Sequence, residues 1–257
     1  MDRFALADML RNTKPVDREA FICEKCSGKT VLDLGCIRHS AEFALNDPGW
    51  LHKNILQTAK SVVGVDYLPE EVAKMAGKGY NIVLGDVTKP LDLTGKFDVI
   101  VAGDLLEHLT NFEGFFHNCE RLLGPGGMLI LSTPNPFFSG EFFYVSLKHN
   151  FIVNPEHTCW IDPLCLMQLA KRFGFEIETA SYVAQSWKLG DLICESRGNE
   201  YNIHRSVWAN DTFFRKRVRA LAGRLFAVFF AVYGFLAGAF CPLVRHSDYL
   251  AVLKKNG

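Results

Sequence analysis

The chain has 257 residues, 49% of them hydrophobic, enough for one large core. Its 28 basic and 28 acidic residues cancel to a formal net charge of zero, so global charge does not favour nucleic acid as a partner. Residues 1–18 mix charged with apolar positions and lack the basic start, apolar centre and cleavage site of a secretory leader, which sets the expectation of a cytoplasmic protein.

Eight cysteines (Cys23, Cys26, Cys36, Cys119, Cys159, Cys165, Cys194 and Cys241) are scattered through the chain, the pattern expected of buried thiols in a reducing compartment. Cys23 and Cys26 form a CxxC pair. No second pair completes a four-ligand zinc site, so the expectation is a short helix or turn before the first strand and no metal.

Residues 30–35 (TVLDLG) read as the first strand, followed by a helical stretch over 41–59. Residues 61–66 (SVVGVD) read as the second strand and 69–76 as a short helix. Strands three and four are expected at 80–84 (YNIVL) and 96–102 (KFDVIVA). A helix over 112–123 should stop at Gly124-Pro125-Gly126-Gly127, before a fifth strand at 128–133 (MLILST). Such alternation of buried strands and helices predicts an α/β fold, with a doubly wound, mostly parallel sheet covered on both faces.

Residues 134–160 read as a long aromatic loop, a candidate lid. A helix at 163–173 and a sixth strand at 175–183 follow, and 247–253 (SDYLAVL) reads as the closing strand. This divides the chain into a core with its lid (1–183), a helical insertion (184–246) and a closing strand with tail (247–257). Within the insertion, residues 225–244 carry no charge and are long enough to span a bilayer. Both flanks are basic, and a span would put the closing strand across the membrane from its sheet. The preferred reading is a helix or helical hairpin that packs on the domain, on a second copy in a homodimer, or flat on a membrane surface.

In an open α/β sheet, ligands bind beyond the carboxyl ends of the strands. Asp33-Leu34-Gly35-Cys36 ends strand one, and Gly35 permits a sharp turn and close ligand approach. Asp66, followed by Tyr67, ends strand two, where a carboxylate suits ribose hydroxyls. Gly85-Asp86-Val87 ends strand three, where a carboxylate can accept from an exocyclic amine. Gly103-Asp104-Leu105-Leu106-Glu107-His108 follows strand four. Taken singly, Asp66 reads as a helix N-cap and Asp86 as a turn residue. Jointly, acidic strand ends around one crevice suit a ligand with a sugar, an amine and a cation, and would repel a pyrophosphate.

VLDLGC, VVGVD, LGDV, FDVIVAGDLLEHL and LLGPGGMLILSTPNP together resemble the class I methyltransferases that use S-adenosyl-L-methionine (SAM), especially those acting on small molecules, sugars and lipids. The resemblance covers roughly residues 30–175. It implies a Rossmann-like, seven-stranded sheet with a reversed last strand. It also implies that Asp33, Gly35 and Cys36 line the methionine side of SAM, that Asp66 with Tyr67 holds the ribose, that Asp86 and Val87 hold the adenine, and that Gly103 and Asp104 sit near the sulfonium. The usual first motif continues with more glycine. Here Cys36 is followed by Ile37-Arg38-His39-Ser40, which leaves Arg38 or His39 as candidates to contact the cofactor carboxylate.

For a hydroxyl acceptor, histidine is the natural base. His108 after strand four and His157 on the lid are the candidates, each with a duller reading: loop orientation for His108, lid packing for His157. Phe137, Phe138, Phe142, Phe143 and Tyr144 form either an apolar acceptor wall or a seal over the crevice. The expected reaction is O-methylation of a sugar, glycan, lipid-linked or quinone-like small molecule. One alternative is a nicotinamide-dependent oxidoreductase, for which Gly35-Cys36-Ile37-Arg38 does not supply the Gly-x-Gly-x-x-Gly turn. The other is a non-enzymatic scaffold on the same fold.

Overall fold

The computed structural model describes residues 1–141, 145, 154–184, 228, 229, 232, 233, 236 and 241–256. The buried apolar runs form β1 (Thr30–Leu34), β2 (Ser61–Asp66), β3 (Ile82–Leu84), β4 (Phe97–Gly103), β5 (Leu123–Pro134), β6 (Phe175–Tyr182) and β7 (Asp248–Lys255). They make one seven-stranded sheet in the order β3-β2-β1-β4-β5-β7-β6. Neighbours from β3 to β5 are parallel, and β7 is antiparallel to both β5 and β6. The order reverses between β1 and β4, so the ligand crevice of such a sheet lies above those two strands.

Among the described residues, the helices over the sheet are α1 (Arg3–Asn12), α2 (Arg18–Cys26), α3 (Ala41–Asn46), α4 (Leu51–Leu56), α5 (Pro69–Ala76), α6 (Phe112–Leu122) and α7 (Pro163–Arg172). Alternation along the strands sorts side chains between two faces. Leu32, Leu34, Ile100, Leu129 and Leu131 join Leu6 of α1, Phe115 of α6 and Leu166 of α7 in one core. Val31, Val99, Val101 and Ile130 join Ile22 of α2 and Ile55 of α4 in the other. Strands buried on both faces are what near-continuous apolar runs demand.

Several elements differ from the sequence reading. Residues 41–59 do not form one helix. Pro48 lacks a backbone donor, the Asp47 carboxylate takes the Gly49 N–H at 2.8 Å, and the chain splits into α3 and α4. The Trp50 indole N–H, donating to the Cys36 carbonyl at 2.7 Å, fixes that break. The strand β5 starts before the expected glycine stop, because Leu123 already pairs with Phe97. The helix α1, which the sequence reading did not anticipate, buries only Leu6 and Leu10 and depends on tertiary contact. Cys23 and Cys26 lie on α2, where burial pushes the Cys26 thiol up to about 12, so it acts as a packing group.

Of the aromatic wall, Phe138 is buried and Phe137 is about half exposed, while Phe142, Phe143 and Tyr144 lie outside the described residues. Most of the insertion also lies outside them. Within 225–244, Val228, Phe229, Val232, Tyr233 and Leu236 are helical, with 49–63% of their surface exposed. No helix among the described residues is long and apolar enough to cross a membrane.

Gly114 lies in the first turn of α6, against the loop after β3. A Cβ there would stand 2.0 Å from the Thr88 carbonyl oxygen. Gly114→Ala is expected to cost about 1–3 kcal/mol. Thermal unfolding should show this as a loss of about 2–4 °C per kcal/mol, and an unchanged Tm would mean that α6 does not dock on this loop.

His246 supplies a pH test. It is buried, its Nδ1–H donates to the Val183 carbonyl at 3.0 Å, and it stacks on Tyr182. Burial, with help from Arg245, holds its pKa below 6.5. The neutral ring therefore stabilises the fold fully above pH 6.5, and that contribution is lost as pH falls through the lower folded value. Wild type should lose Tm between pH 7.5 and 5 more steeply than His246→Gln; parallel curves would contradict this.

Candidate active site

Paired positions in the central strands put the exits of β2, β1 and β4 at one level beside β5, which runs on to Pro134: Val65 of β2 opposes Leu34 of β1, which opposes Ala102 of β4, which opposes Leu131 of β5. Gly35, Asp66, Gly103 and Ser132 follow immediately. Gly35 turns with φ +68°, and a Cβ there would meet Leu105 Cδ1 at 2.8 Å. Its N–H donates to the Val65 carbonyl at 2.8 Å, which ties the first loop to β2.

Asp66 is buried and accepts one backbone N–H on each oxygen: Ile37 at 2.8 Å and Leu68 at 3.2 Å. Burial raises its pKa. Each oxygen keeps a lone pair, so the group retains acceptor capacity for two hydroxyls, as a ribose requires. It does not cap α5, whose N-cap is Leu68. Tyr67 beside it is largely exposed.

Asp33 and Cys36 are arranged differently from the residues of an open loop. The Asp33 carboxylate accepts from His52 Nδ1 of α4 at 2.8 Å, and both side chains are buried. The Cys36 side chain packs against Gly64 of β2, where a Cβ would stand 2.6 Å from its sulfur. Burial, then Asp33 and Asp66, hold this thiol protonated. Asp33 and Cys36 therefore brace the loop from beneath. Arg38 pairs with Asp47 at 2.6 Å, and His39 adopts φ +57° with its ring edge-on to Phe43. At the β3 exit, Asp86 accepts from the Thr88 hydroxyl and N–H and pairs with Lys89, and the Thr88 bonds hold its pKa low. Val87 is buried, and its carbonyl accepts from Asn118 of α6.

At the β4 exit, Gly103 leads into Asp104, a non-glycine residue at φ +51°. Asp104 is held there on both sides. Its N–H donates to the Ser132 carbonyl at 2.9 Å, the Ser132 hydroxyl donates to its carboxylate at 2.8 Å, and Arg18 of α2 pairs with the other oxygen at 2.9 Å. Arg18 Nε also donates to Ser132, 114 positions away. Sequence reasoning missed Arg18 and Ser132, because neither carries a local signal.

The two candidate histidines meet. His108 and His157 stand edge to face with ring centroids 4.7 Å apart. The lid is pinned beside them by Thr158, whose N–H and hydroxyl donate to the Glu107 carbonyl at 2.8 and 3.1 Å. Glu107 itself is buried, and its Oε2 accepts from the Thr133 hydroxyl at 2.9 Å. Burial, then Asp104, pushes its carboxyl up to about 8. The sequence reading treated Glu107 only as a companion of His108; its burial against β5 is a tertiary fact.

Residues 9–180 match a family model described as a methyltransferase domain. The chain is 27% identical over 190 residues to a Mycolicibacterium smegmatis protein named "Probable S-adenosylmethionine-dependent methyltransferase", covering 72% of this chain and 68% of that one. It is 32% identical over 116 residues to a ubiquinone biosynthesis O-methyltransferase of Pseudomonas paraeruginosa, a match that spans 42% of this chain and less than half, 46%, of that relative. A crystal structure of an S-adenosylmethionine-dependent methyltransferase from Clostridium acetobutylicum superposes with TM-score 0.52 over 99% of this chain and 98% of its own, at 13% identity, a likeness of fold. The oxidoreductase and scaffold alternatives give way to these matches.

Arg18→Gln removes the charged partner that helps hold Asp104 in its left-handed conformation. Loss of such a charge-assisted bond is expected to weaken SAM binding about tenfold. Calorimetric titration with SAM checks this, and unchanged affinity would remove Arg18 from the site. The strand order, the level strand exits and a family match spanning most of the chain lead to one assignment: the chain belongs to the class I SAM-dependent methyltransferases.

Proposed function

We propose that this enzyme O-methylates a small, largely apolar acceptor, a quinone-like phenol or a lipid- or sugar-linked hydroxyl. The observation that carries the reading is the convergence of Glu107, His108 and His157 beside the β4 exit. An oxygen nucleophile needs help to lose its proton, and imidazoles next to a carboxyl are suited to that. The partial identity with ubiquinone O-methyltransferases supports an oxygen acceptor. The exposed apolar side chains of Val228, Val232 and Leu236 support an acceptor with lipid character, met at a membrane surface.

In this reading Asp66, with Tyr67 at the rim, would hold the ribose of SAM, and Asp86 with the Val87 backbone the adenine. Gly35, Cys36 through its backbone, and His39 would line the methionine side, with Asp33 bracing that loop through His52. Gly103 and Asp104 would face the sulfonium. When bound, SAM supplies a methyl group on a positively charged sulfur, open to in-line displacement. The chain's own work is placement. Arg18 and Ser132 aim the Asp104 turn, Thr158 holds His157 over the acceptor, and Phe138 with Ile161 keeps the base of the lid dry.

The test is incubation of the purified chain with SAM and a panel of phenols, catechols, sugars, amines, thiols and carboxylic acids, followed by mass spectrometry. The expected product is a methyl ether. His157→Ala should lower kcat about 100-fold while SAM affinity stays within about twofold. Methyl transfer only to nitrogen, sulfur or carboxylate would overturn the reading.

A further inference from the structure

The cluster that would receive the acceptor holds more unmet bonding capacity than proton transfer needs. Glu107 is only 2% exposed, and its Oε1 has no hydrogen-bond partner among the described residues. His157 Nδ1 is likewise buried without a partner among them. A carboxylate oxygen of Glu107 and one ring nitrogen each from His108 and His157 all lie within 4.8 Å of one another. Buried polar atoms are normally hydrogen-bonded, and buried charges are paired or bind metal. Here the orphaned atoms come from two neighbouring side chains of one small group.

We propose that Glu107, His108 and His157 hold a divalent cation, and that this cation receives the oxygen of the acceptor. Two imidazoles and one carboxylate form a ligand set that first-row divalent ions accept, leaving coordination positions open for a substrate. Bonds near 2.1 Å place ligand atoms about 3–3.5 Å apart, so a modest side-chain rotation would close the site. The surroundings are built as a metal site requires. Thr133 orients the Glu107 carboxylate through its other oxygen at 2.9 Å. The Thr158–Glu107 hydrogen bonds, and the His157 N–H donating to the Asn154 carbonyl at 3.0 Å, fix the approach of His157. Asp104 contributes negative charge nearby while its own carboxylate is occupied by Arg18 and Ser132. His108 and His157 are both half-buried, so the cluster is within reach of an incoming ligand. A cation there would bind the acceptor's oxygen and make its proton more acidic, so that the cluster's help in deprotonation would come through the bound ion, the imidazoles serving as its ligands in place of bases and the proton leaving to solvent.

This inference rests on the acceptor docking at the cluster, but its test does not depend on turnover. The full chain, stripped with a chelator, is titrated with manganese(II), for which thiolates compete poorly, and free manganese is followed by electron paramagnetic resonance. One ion per chain is expected to bind, with affinity reduced at least tenfold in His157→Ala and in His108→Ala. SAM binding serves as the measure of folding. Should Glu107→Gln fail to fold, the two histidine variants decide the matter. Absence of stoichiometric binding, or binding unchanged in both histidine variants, overturns the cation site and leaves O-methylation standing. A bound ion displaced by neither variant but lost on thiol alkylation also overturns it, as that places the ion on cysteines. Stoichiometric, histidine-dependent binding in a chain that methylates only nitrogen or sulfur acceptors supports the cation site and overturns the O-methylation reading instead.

Discussion

The level parallel ladder through β2, β1, β4 and β5 governs the placement of nearly everything at the functional end of this molecule. Because β2, β1 and β4 leave the sheet at one height beside β5, the residues that follow them are forced into one neighbourhood whatever their separation in the chain. The result is a crowd of acids: Asp33, Asp66, Asp104 and Glu107. Among the described side chains, Arg18 is the one cation paired with these carboxylates, while His52, Ser132 and Thr133 contact them as hydrogen-bond donors. Burial raises the pKa of both Asp66 and Glu107, and neighbouring acids add to the effect. A fold that tolerates this imbalance is prepared for positive charge from a ligand, which matches a cofactor with a cationic sulfur and the divalent ion inferred at Glu107.

The acids do not serve alike. Asp33 is spent inside the protein on His52, and Asp104 is spent on Arg18 and Ser132, so these two carboxylates set the shape of loops. Asp66 and Glu107, both buried at the strand exits, retain acceptor capacity on their oxygens. The distinction follows from what packs behind each residue. The helix α4 places a histidine under β1 and α2 places an arginine beside β4, whereas Asp66 meets only backbone N–H groups and Glu107 only a threonine hydroxyl.

Residues 154–161 connect this chemistry to the rest of the fold. Thr158 bonds to the carbonyls of Glu107 and Leu109, and the Tyr249 hydroxyl donates to the Ile161 carbonyl at 2.9 Å. The strand β7, inserted antiparallel between β5 and β6, thereby anchors the base of the lid that carries His157. The reversed strand is thus part of how the site is held, besides completing the sheet.

Much of the fold was legible in the chain because its signals are local. Apolar runs such as VLDLG and VVGVD, punctuated by glycine and aspartate, specify buried strands and their exits through neighbours in sequence. The α/β class and the seven strands follow from that reading, as do the positions of Asp66, Gly103 and His108, whereas the reversal of the last strand was implied by the family resemblance alone. The break between α3 and α4, the dependence of α1 on packing, the burial of Asp33 against His52, and the clamp of Arg18 on Asp104 were decided only by tertiary structure. So was the meeting of His108 with His157, two histidines that sequence could name only as separate candidates. Each of these depends on segments brought together by sheet register and helix packing, and such contacts leave no periodicity or spacing in the linear chain from which to read them.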